Sequence, residues 1–215
     1  ADFDPARDML PVSEWLEIDR YALALTRRLQ EQVTADYARY EFHRVVQALQ
    51  GFCSEELGAF YLDILKDRLY TTGAGSQPRR AAQRALWHLL QAVVRLMAPI
   101  LAFTAEEIWQ VLTGNPDDSV MLTAWHALPE PAQESVLLTR WQRIREVRAE
   151  VSKVLEQLRV AGRIGSSLQA EVEIRAAAEK HALLASLGED LRFVLICSKT
   201  ILIEVAAGEE GVVAA

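Results

Sequence analysis

Hydrophobic residues recur three and four positions apart through most of the first 160 residues of this chain. The densest stripe lies in residues 52–70, where this spacing places the apolar side chains on one helical face that must be buried. A bend in the helix is expected near Gly51 and Ser54. The same spacing predicts about five helices, over residues 13–40, 41–65, 79–97, 104–113 and 133–160.

Local signals set the ends of the predicted helices. Ser13 is a candidate N-cap for the first helix, and residues 104–107 (TAEE) match a capping box at the start of the fourth. Pro78 lies just outside the start of the third helix. Pro99 ends that helix, because proline lacks an N–H donor and disfavours helical angles in the residue before it. The fourth helix should stop before Gly114.

A different pattern follows Gly162. Residues 168–175 alternate apolar and polar side chains, which predicts a strand. Residues 177–187 predict a helix, residues 191–197 and 200–205 are apolar and β-branched so that at least the second should be a strand, and the last ten residues should fray. The predicted fold class is mainly α. It comprises a helical bundle of about five helices (1–128), a long connecting helix packed on the bundle (129–163) and a small α+β C-terminal subdomain (164–215).

Composition and charge narrow the class of protein. The chain has 215 residues, of which 51% are hydrophobic and 25% charged, a balance typical of a globular protein. No apolar run is long enough to span a bilayer and no leader segment is visible, so the expected location is the cytoplasm, with no membrane partner. The net charge of −7 argues against a protein that coats nucleic acid through bulk charge.

No metal site, disulfide framework or catalytic site is predicted. Cys53 and Cys197 each lie in an apolar run and are expected to be buried thiols. The four histidines, at positions 43, 88, 126 and 181, lack the close spacing of a local metal site. The chain has no phosphate loop and no supported Ser, Cys and His combination. Catalytic residues, metal ligands and cofactors are therefore expected to be absent.

Two clusters of basic residues indicate a function more strongly than the cysteines and histidines do. Residues 66–95 hold six cations against one anion, and residues 140–163 hold seven cations against three anions. A guanidinium presents a planar fork of donors that suits phosphate, and a helix N-terminus adds unpaired N–H groups. The end of the second helix and the start of the third should meet at one tip, where an aromatic ring could stack on an unpaired base. The candidate RNA-contact residues are Lys66, Arg68, Tyr70, Arg79, Arg80 and Arg84, with a second set of Arg143, Arg145, Arg148, Lys153 and Arg163.

Five segments, in order, resemble one known family. They are ADFDP (1–5), YEFHRVVQAL (40–49), FCSEELGAFYLDILKDRLYT (52–71), RRAAQRALWHLLQAVVRLMAPILAFTAEEIW (79–109) and IGSSLQAEVEI (164–174). The chain is similar to the anticodon-binding domain of class I aminoacyl-tRNA synthetases, in the isoleucyl branch and of bacterial type. The resemblance extends from that helical domain into the junction that follows it.

This resemblance implies a role in protein biosynthesis. In that family the helical domain holds the anticodon arm, here expected to be that of tRNA(Ile). A separate catalytic core activates isoleucine with ATP and Mg and charges the tRNA. The signature motifs of that core are absent here, as is the cysteine-rich zinc module of many bacterial members. The sequence is therefore expected to be a fragment of a ligase, with tRNA(Ile) and the catalytic core as partners and zinc, if any, outside this chain.

Two alternatives stay open. A charge run is often only a solvated face, so a helical protein–protein interaction module without RNA binding is one. The equivalent domain of a valyl- or leucyl-type synthetase, which shares the helical plan, is the other. Base stacking is not the favoured role for Trp87, Trp109, Trp125 and Trp141, because each lies in or beside an apolar run and is expected to pack within the protein.

Overall fold

The computed structural model describes residues 2–8 and 10–215, except for the side chain of Asp67. It contains two compact units, residues 1–134 and 135–215. The first unit is helical, and its elements are α1 (Glu17–Ala38), α2 (Phe42–Gly51), a π-helix (Phe52–Leu62), α3 (Asp63–Thr71), α4 (Gln77–Met97) and α5 (Ala102–Thr113), with 3₁₀ turns at Val12–Glu14 and Val120–Leu122. Among the described residues, none of the helices combines the length and apolar character that crossing a bilayer requires.

The core of the first unit forms where α1 packs against α2 and α4. Leu29 and Val33, four residues apart on α1, are buried with Val45 of α2 and Leu96 of α4. A second cluster joins the end of α4 to α5 around the buried Trp109. Burial of each such side chain contributes roughly 1.5–3 kcal/mol to folding. The predicted helical stripes are therefore confirmed as core faces.

Two predicted helix caps are wrong. α1 begins at Glu17, after Leu16, and Ser13 lies in the preceding 3₁₀ turn. α5 begins at Ala102, after Leu101, because the turn that follows α4 leads directly into α5 and leaves no room for a cap at Thr104. The predicted end of this helix is confirmed, since Gly114 terminates it in the left-handed conformation with φ of 68°.

The boundaries around the second and third predicted helices also differ from expectation. Pro78 lies inside the first turn of α4, where its missing N–H costs nothing, rather than outside it. At the expected bend, α2 continues directly into the π-helix and then into α3, so that one continuous helical segment changes its hydrogen-bonding period twice. Phe52, Phe60 and Tyr61 are the buried residues of the π-helix.

The second unit is a small α+β structure. Its elements are α6 (Glu134–Val160), which starts at the last residue of the first unit, a 3₁₀ turn (Ser167–Gln169), β1 (Glu171–Ala176), α7 (Ala178–Ala185), α8 (Asp190–Leu195), β2 (Lys199–Glu204) and β3 (Gly211–Ala214). The sheet order is β2-β1-β3, with β1 parallel to β2 and antiparallel to β3. The alternation that predicts β1 is confirmed, because Val172, Ile174 and Ala176 are buried.

One alternative left open for this unit resolves as a helix, and one expectation fails. Residues 191–195, part of an apolar stretch that could have been a strand, form most of α8, whose Leu191, Val194 and Leu195 are buried at helical spacing. The terminal residues do not fray, because Val212 and Ala214 pack on the core and the chain pairs with β1 up to Ala215. The mainly α fold with a small α+β part is confirmed, whereas the three-part domain division stays a prediction.

Candidate nucleic-acid interface

The two ends of the helical unit differ in chemistry. At one end, here called the basic pole, the end of α3 and the start of α4 carry the first set of candidate residues, from Lys66 to Arg84. The other end, here called the aromatic pole, holds Tyr37, Tyr40, Phe42 and Trp125 around the turn from α1 to α2. Arg68 contacts Asp19 in the first turn of α1 and Tyr37 lies in its last turn. The poles are therefore about 27 Å apart along α1.

Arg68 forms an ion pair with a buried carboxylate. Its guanidinium donates to both carboxylate oxygens of Asp19, at 3.1 and 2.6 Å, and Asp19 is fully buried. The hydroxyl of Tyr61 donates to the same carboxylate at 2.8 Å. Burial, together with the negative charge of Asp19, raises the pKa of Tyr61 well above its usual value. A bidentate pair with an added hydrogen bond can offset the desolvation of a buried carboxylate.

Arg79 and Arg80 hold the N-terminal segment. Arg79 donates to both carboxylate oxygens of Asp2, at 3.3 Å, and to the carbonyl of Leu69. Arg80 donates to the carbonyl of Asp2 at 2.6 Å and to Asp8 at 3.3 Å. Hydrogen bonds, first from Arg79 and then from Gln83, lower the pKa of Asp2 to about 2. Both guanidinium groups therefore already donate to carboxylates of the chain itself.

Arg84 lies beneath the same segment. Its side chain is fully buried and its guanidinium packs on the ring of Phe3, 5.6 Å from the centroid. None of the described residues accepts a hydrogen bond from its three nitrogens. Burial lowers the pKa of Arg84, and the nearby charge of Asp8 partly counters that effect.

Lys66 and Tyr70 are the exposed members of the first set. The Lys66 side chain is 69% exposed and its ammonium pairs with Asp63 at 2.9 Å. Tyr70 is 85% exposed at the end of α3. The structure thus brings the six residues to one pole. Lys66 and Tyr70 are exposed to solvent there, whereas the four arginines contact other parts of the chain.

The second candidate set belongs to the other unit and is also divided. Arg143 donates to Glu179 at 2.7 Å, and Arg145 and Arg148 are half-buried on α6. Lys153, on α6, and Arg163, in the loop after it, are exposed.

The aromatic pole was not predicted as a site. Tyr37 stacks with Trp125 at an interplanar angle of 11° and meets Phe42 edge to face, while Phe42 meets Tyr40 edge to face. Trp109 and Trp141 are buried as expected, but Trp125 is 46% exposed because its loop runs over the surface of the helices. The aromatic residues around 37–42 and at 125 were a sequence signal for this cluster. Their apolar neighbours nevertheless made packing in the core the simpler interpretation.

A pair of histidines, the buried His88 and the half-buried His126, holds the loop that carries Trp125. Nδ1 of His88 and Nε2 of His126 are 2.9 Å apart, so one neutral ring donates to the other. Burial, more than the neighbouring positive charges, lowers the pKa of both imidazoles to about 4. Gln30 donates to the carbonyl of His126 and Arg27 to that of Leu128, at 2.9 and 3.0 Å. The loop is therefore fixed on α1 and α4.

One cysteine is not where the sequence indicated. Cys197 is buried as expected, but Cys53 is exposed, because the π-helix turns it toward an open apolar groove of about 280 Å³ that Val46, Leu49 and Met97 also line. Among the described residues, no group of three or more His, Cys, Asp or Glu side chains could hold a metal ion.

Known proteins resemble nearly all of this chain. Residues 19–174 match the family described as the anticodon-binding domain of tRNA ligase. Similar curated proteins are named isoleucine–tRNA ligase: those of Aromatoleum aromaticum (64% identical over all 215 residues), Azoarcus sp. (61% over all 215) and Dechloromonas aromatica (66% over 201). The matched residues make up 23%, 23% and 22% of these relatives, so the chain spans about a quarter of their length.

Proposed function

Because the chain belongs to the family of anticodon-binding domains of tRNA ligases, we propose that it binds and positions the anticodon arm of tRNA(Ile). The match of residues 19–174 to that family carries the proposal, and the names of the similar proteins supply the amino acid. The chain would be one domain of a cytoplasmic isoleucine–tRNA ligase. Isoleucine activation with ATP and Mg, and any zinc site, would belong to other parts of that enzyme.

The candidate residues take different roles in this proposal. Lys66 and Tyr70 are exposed and can reach RNA directly, as can Lys153 and Arg163. Arg79, Arg80 and Arg84 can meet phosphates only if Asp2, Phe3 and Asp8 move away. Arg68, and Arg143, Arg145 and Arg148, are retained as weaker candidates whose guanidinium groups are half-buried or already contact a carboxylate.

The rival function is a protein-interaction module without RNA binding. The open apolar groove beside Cys53 favours it, because exposed apolar surface often marks protein contacts. The family match weighs against it. A valyl- or leucyl-type ligase is the other alternative, and the names of the similar proteins weigh against that one.

Titration of the full-length ligase that carries this chain, with tRNA(Ile) and tRNA(Val) transcripts at two salt concentrations, tests the proposal. Binding that weakens steeply with salt and prefers tRNA(Ile) is expected, since phosphate contacts release counterions. A charge reversal of Lys66 to Glu should reduce both affinity and salt dependence. Binding that ignores salt, or a preference for tRNA(Val), would contradict the proposed function.

A further inference from the structure

Four aromatic rings form a continuous cluster at the aromatic pole. Centroid distances are 6.1 Å from Tyr37 to Trp125, 6.1 Å from Tyr37 to Phe42 and 6.2 Å from Tyr40 to Phe42. Tyr37 is the inner ring, because its hydroxyl donates to the carbonyl of Leu96 at 2.8 Å and burial raises its pKa to about 12. The other three rings spread outward from it.

The outer rings are open to solvent. Tyr40 is 80%, Phe42 48% and Trp125 46% exposed. Tyr40 contacts Phe42, and Trp125 joins them through the inner Tyr37. Three exposed rings in one cluster are unusual for packing alone, since aromatic side chains normally bury most of their area. Tyr40 adopts a φ of 57° because it is the left-handed residue that ends α1, where the N–H of Glu41 donates to the carbonyl of Asp36 at 2.9 Å. This helix ending holds the Tyr40 ring at the surface.

Polar groups suited to RNA surround the rings. Arg39 and Arg44 donate to Glu41 at 3.1 and 3.2 Å and both also pair with the buried Asp36, while their side chains remain about half exposed. His43 is exposed next to Phe42. Rings interleaved with guanidinium and imidazole groups are typical of proteins that bind unpaired bases, which stack on aromatic faces.

Hydrogen bonds within the chain also hold the inner ring and the loop of Trp125 in place. Trp125 is in the loop that the His88–His126 pair, Gln30 and Arg27 fix on the helices. Tyr37 is tied to the end of α4 through Leu96. A rigid stacking surface loses little entropy on binding, which favours affinity.

We propose that the rings of Tyr40, Phe42 and Trp125 form a stacking platform for unpaired bases of the anticodon loop. This proposal rests on the proposed function and locates the base contacts at the aromatic pole instead of at Tyr70. The occupant is single-stranded RNA rather than an apolar peptide, because the rings are interleaved with cationic and imidazole groups.

Fluorescence of 2-aminopurine, placed at single anticodon-loop positions of tRNA(Ile), tests the platform in the full-length ligase. Stacking on a ring should quench the probe on binding. We expect Tyr40→Leu and Trp125→Leu each to relieve quenching at one or more positions and to weaken binding roughly tenfold. The salt dependence should stay unchanged, because no phosphate contact is lost.

Matched variants separate stacking from other effects. Trp125→Phe keeps a ring and should retain quenching, whereas Phe103→Leu, at a 90% exposed residue outside the cluster, should leave the probe signal unchanged. Quenching that survives Tyr40→Leu and Trp125→Leu would overturn the platform, whether or not affinity falls, and would favour protein docking at this pole. If wild-type ligase does not bind the tRNA, the proposed function fails first, and the platform fails with it as an RNA surface.

Discussion

The basic pole and the aromatic pole differ in what their functional groups already contact. At the basic pole, Arg68, Arg79 and Arg80 donate to carboxylates of the same chain, and Arg84 is buried beneath Phe3. At the aromatic pole, the rings that could serve a ligand face solvent. Most of the cationic side chains at the basic pole therefore already have partners within the chain, whereas the outer rings of the aromatic pole are open to solvent.

This difference follows from the cost of burying charge. A guanidinium can leave water only if a carboxylate or an aromatic face replaces its hydration, so arginines near a core tend to acquire internal partners. A half-exposed ring carries no such penalty and can remain free for a ligand. We infer that the basic pole mainly stabilises the fold and that the aromatic pole mainly supports recognition.

The largest expected effect is the loss of stability in Arg68→Ala. Removal of this guanidinium breaks the bidentate ion pair of the fully buried Asp19, which should lower the free energy of unfolding by about 3–5 kcal/mol. Tyr61→Phe removes only one hydrogen bond to the same carboxylate and should cost about 1 kcal/mol. Urea denaturation measures both. An Arg68→Ala protein of unchanged stability that no longer binds tRNA would instead make Arg68 an RNA contact.

The next effect is a pH dependence that arises from the His88–His126 pair. The pKa values of His88 and His126 are about 4 in the folded state, below the value of about 6.5 in an unfolded chain. The unfolded state therefore takes up protons first as pH falls, so stability is fully present above pH 6.5 and declines toward pH 4. Urea midpoints measured across this range should fall, and the fluorescence of the nearby tryptophans should report the change.

Variants of the two kinds of histidine make this pH test specific. His126→Gln removes one of the titrating rings and should flatten the dependence, at some cost in stability at pH 7. His43→Gln, at an exposed position of the aromatic pole, should leave the dependence unchanged. If His126→Gln and the wild type respond equally to pH, the histidine pair does not anchor the loop.

Local sequence patterns predicted most helices because periodicity is a property of neighbouring residues. The stripes over residues 13–40, 79–97 and 133–160 appear as α1, α4 and α6 with small changes at their ends. The strand β3 was missed, because a short apolar tail becomes ordered only where the edge of β1 is available to pair with it. The π-helix was missed because a bend and a change in hydrogen-bonding period leave similar traces in a sequence.

The candidate site was less predictable because its contacts join distant residues. Arg68 lies 49 positions from Asp19, and Arg79 lies 77 positions from Asp2. Local charge counts cannot reveal such pairs. Trp125 is a second case in which local sequence misleads. Its apolar neighbours predicted burial, but the course of its loop leaves it exposed.

A smaller effect is expected from Tyr40→Gly. Glycine accepts a φ of 57° without strain but is more flexible in the unfolded chain, so the free energy of unfolding should change by no more than about 1 kcal/mol. Gln133→Gly, at a φ of 54°, is the matched control for the backbone term. Thermal denaturation of both variants is the measurement. A loss of more than about 2 kcal/mol in Tyr40→Gly alone would mean that the ring of Tyr40 is there for packing.

The smallest effect on stability, and the most direct test of the basic pole, is expected from Lys66→Gln. The side chain is exposed and its pair with Asp63 joins surface groups, so the free energy of unfolding should change by less than about 0.5 kcal/mol. If the ammonium contacts a phosphate, the slope of log K against log salt for tRNA binding should fall by about one. Lys66→Arg keeps the charge and should keep the slope. An unchanged slope in Lys66→Gln would mean that Lys66 does not contact RNA. The aromatic pole would then be the stronger candidate for the RNA-binding surface.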